Sequence, residues 1–486
     1  MTNAYTLLTG ATGLLGRYLL RDLLRADWPV VAVVRGRREQ SAADRIETVL
    51  AQWEREDGRT LPRPIVFQGS LDKPRLGLAA EATAWLRRHC GRVVHAAASL
   101  KFAVDPKDHE PFRTNVDGTR HLLDLCRELG LPELHHVSTA YVAGLREGVV
   151  REDELDVGQK WANAYEESKV AAERLVQGSR FLSSLTVYRP SIIVGDATTG
   201  YTTTFHGFYT PLRVAYALVP KLPVNGDEPL DLLPLFNLSG IEQKNLVPVD
   251  WVSQAIVRIL RQPQRHGRTY HLTSARPVTV RQMHTAFAEV LRPWIGRDSA
   301  AGGAESLAGL GEAFTEPMRV YQSYWRNDPT FARTQLDAAL PDLPCPALDH
   351  ARLVALAQYA VDHKFGQAHI PFVRAEPAAK WLGPEERPVA GWENQRLSVG
   401  LRVTGRGGGD GQFELAANRL SGGRPGLTRE PSVTYYLSAE TLDQLRSGRL
   451  CCPAALEQGR VVVFGQIALE TRPLAQLLAA LIARPG

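Results

Sequence analysis

The sequence predicts an α/β protein with a doubly wound parallel sheet, followed by a smaller α+β domain. Three observations carry this prediction. Short apolar segments rich in β-branched residues alternate with helical segments through the first half of the chain. A glycine-rich turn follows the first of these segments. After a proline-rich stretch near 370–390, apolar and polar residues alternate instead, which favours strands grouped apart from helices.

The predicted strands of the first part are short. They cover residues 5–9, 30–35, 65–67, 93–98, 134–139, 185–195 and 270–274. The segment 14–26 (LLGRYLLRDLLRA) between the first two has helical periodicity, and helical stretches separate the others. Strands that alternate with helices of this length imply a parallel sheet covered on both faces, to which residues 196–245 add a region that caps the substrate.

Composition limits the classes of function. A net charge of +5 without a dense Lys/Arg run argues against a nucleic-acid-binding protein. The five cysteines have no metal-ligand spacing, so we expect reduced thiols and no metal site. Without an export leader at the N-terminus or an apolar run of 18 residues, we expect a cytoplasmic protein with no transmembrane anchor.

The glycine-rich turn predicts a Rossmann-type dinucleotide site. Its residues are Thr9, Gly10, Ala11, Thr12, Gly13, Leu14, Leu15 and Gly16. Glycines at the first, fourth and seventh positions after Thr9 allow a tight turn, close approach to a pyrophosphate, and close packing of helix on strand. The N-terminus of the following helix offers N–H groups to the phosphates.

The end of the second strand favours NADPH as the cofactor. Side chains at this position reach the adenosine ribose, where an acid binds the 2′-hydroxyl and an arginine accommodates a 2′-phosphate. Here the sequence has Arg35, Arg37 and Arg38, and Arg45 lies on the next helix. We expect Arg35 and Arg45 to contact the 2′-phosphate.

Tyr165 and Lys169 are candidates for proton delivery. They are four residues apart and therefore lie on one face of a helix. A nearby ammonium stabilises a phenolate, so Lys169 is expected to lower the pKa of Tyr165, and it can also bind the ribose hydroxyls. Ser138 and Thr139 stand upstream at the end of a predicted strand.

Together these motifs resemble those of extended short-chain dehydrogenases/reductases. The resemblance rests on the glycine turn, NVDGT (115–119), VSTAYVAG (137–144), YEESK (165–169) and YRPSIIVG (188–195). Within that superfamily the chain is most similar to the branch of fatty acyl-CoA reductases and thioester reductase domains. The features of the branch are Arg35 with Arg45, HAAA (95–98), the extension of YEESK to Glu173, and LVPVD (246–250). The similarity spans about residues 1–365.

The resemblance implies a role for each matching residue. Thr139, five residues before Gly144, would hydrogen-bond the substrate oxygen, with Ser138 the weaker candidate. Asn115 would support a water-linked proton relay to Lys169. The cofactor would also contact Ala96, Ala97, Pro190 and Ser191.

The chain departs from the family pattern at two positions. Ala143 stands where many extended members have tyrosine, and Ser70 stands where the acyl-reductase branch often has an acid. The second departure concerns the contacts of that loop with adenine.

The C-terminal segment 433–481 resembles sterol carrier protein type 2 domains, which implies a tunnel for acyl chains or sterols. A plain α+β domain that mediates assembly, for example into a homodimer, is the alternative. We therefore predict three parts: an NADP-binding reductase domain (1–295), a helical extension of the substrate region (296–370), and a sterol carrier protein type 2-like domain (385–486).

The expected function is NADPH-dependent reduction of a lipid-like acyl thioester, bound to CoA or to an acyl or peptidyl carrier protein. The product would be an aldehyde or, after a second reduction, an alcohol. The alternative enzyme is a ketone/alcohol oxidoreductase acting on a sterol or polyketide, since the same residues serve both reactions. A lipid-transfer or scaffolding protein is the non-enzymatic alternative, against which the intact Thr139, Tyr165, Lys169 and Asn115 argue.

Overall fold

A computed structural model describes most of the chain, namely residues 5–221, 233, 238–296, 326–366, 386–392, 395–427, 431–465 and 471–483. The described strands are β1 (Tyr5–Thr9), β2 (Val30–Val34), β3 (Ile65–Gln68), β4 (Cys90–His95), β5 (Glu133–Val137), β6 (Val149–Val150), β7 (Ser184–Pro190), β8 (Ile192–Val194), β9 (Gln243–Lys244), β10 (Leu246–Pro248), β11 (Thr269–Leu272), β12 (Val278–Thr279), β13 (Thr330–Phe331), β14 (Arg387–Pro388), β15 (Arg396–Thr404), β16 (Gly409–Ala416), β17 (Arg419–Pro425), β18 (Val433–Ser438) and β19 (Val461–Gly465).

The described α-helices complete the order of elements. They are α1 (Leu14–Arg25), α2 (Ala42–Asp57), α3 (Ala80–His89), α4 (Gly118–Leu129), α5 (Ala164–Gln177), α6 (Tyr209–Leu218), α7 (Val249–Leu260), α8 (Val280–Leu291), α9 (Thr334–Ala339), α10 (His350–Asp362), α11 (Ala439–Arg446), α12 (Cys452–Glu457) and α13 (Thr471–Ile482). Among the described residues, no helix is both long enough and apolar enough to cross a bilayer.

The main sheet has seven strands in the order β11-β7-β5-β4-β1-β2-β3, and every neighbouring pair is parallel. This confirms the predicted doubly wound sheet. The interior strand β2 is buried along its whole length, as expected for a strand with helices on both faces. The strand order reverses between β1 and β4, and at such a point the carboxyl ends of the strands open a crevice for a ligand.

The predicted strand 185–195 is two strands in the structure. Strand β7 ends at Pro190, and β8 leaves the main sheet to pair with β10. Between them, Ser191 donates its N–H to the carbonyl of Leu272 and its hydroxyl to Asn245. These two bonds hold Ser191 at the point where the chain changes sheets, which periodicity cannot predict.

The region predicted to cap the substrate contains α6, and the predicted extension contains α9 and α10. Helices α6, α8 and α10 share a core that includes Phe208, Tyr209, Phe287 and Leu353. Parts of both predictions, residues 222–232, 234–237 and 297–325, lie outside the described residues.

The second sheet has the strand order β14-β17-β16-β15-β18-β19. Strands β15 and β18 are parallel, and the other neighbours are antiparallel. Helices α11 to α13 cover one face and bury Leu401, Tyr435 and Leu478. These elements lie within the range predicted for a third domain, whose independent folding stays a prediction.

The other face of the second sheet packs over the β3 edge of the main sheet. The rings of Phe67 and Phe464 lie 5.9 Å apart across this contact. Tyr436 and Val462 join the core formed by Trp85 and its neighbours. A cleft of about 780 Å³ lies along the same contact.

Candidate active site

The glycine turn lies at the point where the strand order reverses. Gly10 has a φ of +80°, and a Cβ at this position would lie 2.6 Å from the backbone nitrogen of Ala97. A Cβ at Gly16 would lie 1.9 Å from the carbonyl oxygen of Gly10. Gly13 is the N-cap of α1, which has no side-chain cap and no acid in its first turn. The turn and the helix therefore form a cradle suited to a phosphate group.

The other predicted cofactor residues surround this cradle. Ala96 and Ala97 lie against Gly10. Thr9 is buried, and its hydroxyl is 2.7 Å from Nδ1 of His95. Leu14 and Leu15 begin α1, and Leu15 packs into the core beneath the turn.

Arginines converge beside the glycine turn. Arg45 donates hydrogen bonds to the carbonyl of Arg35 at 2.6 Å and to the hydroxyl of Thr12 at 2.8 Å. Burial, and then the charges of Arg37, Arg35 and Arg17, lower the pKa of Arg45 to about 10. An anion bound here would relieve this repulsion, and a 2′-phosphate has the appropriate charge.

Thr139 and Tyr165 form the centre of the candidate site. Thr139 follows β5, and its hydroxyl lies close enough to the phenol of Tyr165 on α5 to lower the pKa of that phenol. The Thr139 hydroxyl also lies 3.4 Å from the carbonyl oxygen of Pro190. The neighbouring Ser138 hydroxyl is buried and has no hydrogen-bond partner among the described residues. This arrangement favours Thr139 over Ser138 as the residue that acts with Tyr165.

The pKa of Tyr165 differs from the sequence-based expectation. Desolvation by burial raises it to about 12, and the neighbouring Thr139 hydroxyl opposes this only in part. The ammonium of Lys169 instead donates a 2.8 Å hydrogen bond to the carbonyl of Val137. The phenol is consequently protonated at neutral pH, which is the form that can donate a proton.

Lys169 is itself buried, and desolvation lowers its pKa to about 8. The carboxylate of Glu173, one turn further along α5, opposes this shift. Glu173 forms a 2.6 Å ion pair with Arg189, and both side chains are almost completely buried. This ion pair fixes the negative charge that favours the ammonium of Lys169.

Asn115 lies in a single π-helical turn at Arg113–Asp117, which leads into α4. Its side chain exchanges two hydrogen bonds with the backbone of Ser99 and donates a third, of 2.9 Å, to the hydroxyl of Ser168. Asn115 thus connects the loop after β4 to the helix that carries Tyr165 and Lys169. Its part in a proton relay stays a prediction.

Pro190 and Ser191 lie at the carboxyl end of β7, beside Thr139. The Ser191 hydroxyl donates a 2.8 Å hydrogen bond to Oδ1 of Asn245. Asn245 also exchanges hydrogen bonds with the backbone of Ser274. Asn245 immediately precedes the LVPVD motif, which is the signal in the sequence that could have identified it.

A buried polar network behind the site was not predicted from the sequence. Asp328 accepts hydrogen bonds of 2.7 Å from Lys244, from the hydroxyl of Tyr141 and from the backbone of Asn245. It joins the segment after 325 to the turn that follows Thr139. These residues are far apart in the chain, so no local motif marks them.

Asp72 bears on the departure at Ser70. The neighbouring Ser70 hydroxyl, with the charges of Arg113 and Arg35, lowers the pKa of the Asp72 carboxyl. An acid is thus present in this loop, two residues after the expected position.

The residues present fit a nicotinamide dinucleotide. A side chain at Gly10 or Gly16 would collide with neighbouring backbone atoms, so only glycine fits at these positions. The first turn of α1 has no side-chain cap, which leaves its N–H groups for a phosphate. The arginines around Arg45 lie where the phosphate on the adenosine ribose would extend. Thr139 and Tyr165 would lie at the nicotinamide end of such a dinucleotide.

Comparisons with known proteins agree with this architecture. The profile of an NAD-binding family described as male sterility protein matches residues 8–256. A linear gramicidin synthase of Brevibacillus parabrevis is 27% identical over 375 residues, which are 73% of this chain and 7% of that protein. Isonitrile lipopeptide synthase of Streptomyces coeruleorubidus is 33% identical over 262 residues, which are 52% and 16%. The chain thus spans less than a fifth of either relative.

Solved structures give the same result for the fold. The terminal R domain from the myxalamid PKS-NRPS biosynthetic pathway has a TM-score of 0.60 and 26% identity, over 76% of this chain and 93% of that one. A thiolation-reductase di-domain from an archaeal non-ribosomal peptide synthetase has a TM-score of 0.56 and 18% identity, over 76% and 77%. The second similarity concerns the fold alone.

Proposed function

This chain belongs to the male sterility protein family of NAD-binding proteins, and from that premise we propose that it is an NADPH-dependent acyl thioester reductase. The substrate is a lipid-like acyl group on CoA or on an acyl or peptidyl carrier protein. The product is the aldehyde or, after a second reduction, the alcohol. The similarity to the terminal R domain of the myxalamid pathway supports a substrate held on a carrier protein.

The observation that carries this proposal is that the Thr139 hydroxyl lies close enough to the buried Tyr165 phenol to lower its pKa. Both hydroxyls can donate to one carbonyl oxygen, and such donors stabilise the negative charge that develops on it. When bound, NADPH supplies the hydride. Tyr165 supplies the proton, and the resulting hemithioacetal separates into aldehyde and free thiol.

The convergence of Arg35 and Arg45 supports NADPH rather than NADH. Arg45 is held against the end of β2 by the carbonyl of Arg35, where a 2′-phosphate would lie. The positive charge around Arg45 favours NADPH, because NADPH carries a 2′-phosphate and NADH does not.

Apolar residues beside Tyr165 support a lipid-like acyl group. The ring of Phe102 lies 6.0 Å from that of Tyr165. Leu100 and Val104, in the same loop, are 41% and 47% exposed. Exposed apolar side chains next to a polar site provide a surface for an acyl chain.

The C-terminal sheet supports a second, finer proposal: residues 385–486 bind the acyl chain, as the resemblance to sterol carrier protein type 2 domains implies. The cleft along the contact with the main sheet is lined by apolar residues that include Phe67, Leu427 and Phe464, together with polar residues such as Gln68 and Arg402. The alternative is a domain that only mediates assembly, for example into a homodimer.

Purified protein incubated with NADPH and acyl-CoA, acyl-pantetheine or keto-steroid substrates tests the reaction. We expect oxidation of NADPH to be accompanied by stoichiometric release of free thiol from the thioesters. Faster turnover of the keto-steroid, with no thiol released from any thioester, would favour the ketone/alcohol oxidoreductase instead. Tyr165→Phe serves as the inactive control.

A further inference from the structure

Two histidines and a glutamate cluster at the amino ends of the strands of the main sheet. Glu133 begins β5, His135 follows two residues later, and His266 lies just before β11. One potential ligand atom from each residue lies within 4.8 Å of the others. Six residues of extended chain separate Glu133 from Thr139, so the cluster is about 20 Å from the candidate active site.

The hydrogen bonds of His266 determine which of its nitrogens carries the proton. Nε2 lies 3.1 Å from the carbonyl oxygens of Ile259 and Leu260, so it must be the N–H that donates to them. Nδ1 faces Oε1 of Glu133 at 3.4 Å. A lone pair on Nδ1 would face the carboxylate, and a metal ion bound between the two atoms would remove this repulsion.

His135 faces the same carboxylate oxygen. Its Nε2 lies 3.0 Å from Oε1 of Glu133, and its Nδ1 lies 2.9 Å from the Tyr188 hydroxyl. A polar partner on the far nitrogen is the usual arrangement for a histidine that binds a metal.

We propose that Glu133, His135 and His266 bind a divalent transition-metal ion, with zinc as the preferred ion. Ligand atoms about 2.1 Å from a tetrahedral zinc ion lie about 3.4 Å apart, which is close to the 3.0 and 3.4 Å separations here. Glu133 is 20% exposed, so water can supply a fourth ligand. The ion would connect β5 to the turn before β11.

Arg92 is the cation that opposes the metal. Its Nε lies 3.2 Å from the same Glu133 oxygen, and its guanidinium packs over the ring of Trp28. Removal of this charge should strengthen metal binding. Sequence spacing predicts no metal site because His266 is far from Glu133 and His135 in the chain and no cysteine takes part.

The test uses the full chain, stripped of metal with a chelator and titrated with zinc chloride against a chromophoric chelator. We expect one zinc ion per chain. His266→Ala and Glu133→Gln should each weaken zinc binding roughly 100-fold, whereas Arg92→Gln should strengthen it. His350→Ala is the matched control, because His350 also pairs with a glutamate, at 2.8 Å, but belongs to no such cluster among the described residues.

Cobalt gives a second measurement, in which the wild-type spectrum itself reports the geometry of the site. Bound Co²⁺ should give the visible absorption of a tetrahedral site in the wild type, and His266→Ala should abolish it. The proposal is overturned if wild type and His266→Ala bind zinc equally. It is also overturned if NMR shows that His266 stays doubly protonated at neutral pH in the presence of zinc. If His266→Ala does not fold, Glu133→Gln and the wild-type cobalt spectrum decide.

Discussion

Tyr165 holds its proton at neutral pH because burial raises its pKa to about 12. A group in this state suits reduction, in which the developing alkoxide takes a proton. The Thr139 hydroxyl lies close enough to the phenol to lower its pKa, so the effects of the two residues are coupled.

Tyr165→Phe should keep NADPH affinity but lose at least about 100-fold in kcat, since the ring remains while the proton donor is removed. Steady-state kinetics and NADPH fluorescence titration measure the two effects. Tyr5→Phe is the matched control, because the Tyr5 hydroxyl contacts the carbonyl of Gly459, away from the site. Retention of more than about a tenth of kcat would mean that Tyr165 does not deliver the proton.

Arg45 should distinguish the two nicotinamide cofactors. A charge-assisted hydrogen bond contributes about 1.5–3 kcal/mol, so Arg45→Ala should raise the KM for NADPH roughly ten- to a hundredfold and leave that for NADH nearly unchanged. Arg38→Ala, at an exposed arginine in the same loop, should have a much smaller effect. Equal use of both cofactors by the wild type would contradict the assignment.

At the scale of the element, α5 combines the chemistry with its electrostatic support. Tyr165, Lys169 and Glu173 follow one another at intervals of four residues, so they lie along one side of the helix. Arg189 on β7 pairs with Glu173 and donates to the carbonyl oxygens of Glu152 and Glu154. The position of the helix therefore depends on a buried charge pair.

The pH dependence of the reaction should reflect Lys169. Its pKa is lowered to about 8, so its ammonium is present below that pH and is lost as the pH rises through it. We expect kcat/KM to fall above about pH 8. In Lys169→Arg, whose side chain stays charged, this decrease should move to higher pH even if the maximal rate is lower. A wild-type profile that stays flat to strongly alkaline pH would exclude this role.

Loss of one partner from the buried pair should be costly. Arg189→Met leaves Glu173 charged and buried, so we expect the free energy of unfolding to fall by about 3–5 kcal/mol. Chemical denaturation measures this change. Arg151→Met removes the arginine of an exposed pair with Asp153, and it should change stability by less than about 1 kcal/mol. Similar effects of the two substitutions would show that the Arg189–Glu173 pair is not important for stability.

At the scale of the whole molecule, the second sheet packs against the main sheet beside its edge strand β3. The rings of Phe67 on β3 and Phe464 on β19 meet in this contact. The same packing forms the cleft between the two sheets.

Phe464→Arg tests whether the cleft holds an acyl chain. Each buried methylene contributes about 0.8 kcal/mol, so a charged side chain in the cleft should reduce the preference for long over short acyl substrates by about tenfold or more. The ratio of kcat/KM for dodecanoyl to butanoyl thioesters measures this preference, and a thermal melt checks that the variant folds. Arg449→Ala, at an exposed position in the same part of the chain, is the control. Unchanged selectivity together with no binding of a fluorescent fatty acid would favour an assembly domain.

The sequence alone determined the parallel sheet, the glycine turn, and the pairing of Tyr165 with Lys169 on one helix. These features depend on local periodicity and on short spacings along the chain. Apolar strands such as VVAVV must be buried, and residues four apart must share a helical face. Each of the seven predicted strands overlaps a strand of the main sheet for the same reason, but the division of 185–195 into β7 and β8 was missed.

Only the tertiary structure decided the features that depend on contacts between distant segments. The raised pKa of Tyr165 results from burial, and the network around Asp328 and the cluster of Glu133 with His266 join parts of the chain more than eighty residues apart. Spacing along the sequence does not predict contacts between such distant segments. They arise because packing of the sheets and helices fixes which side chains lose water and which charges come within a few ångströms of one another.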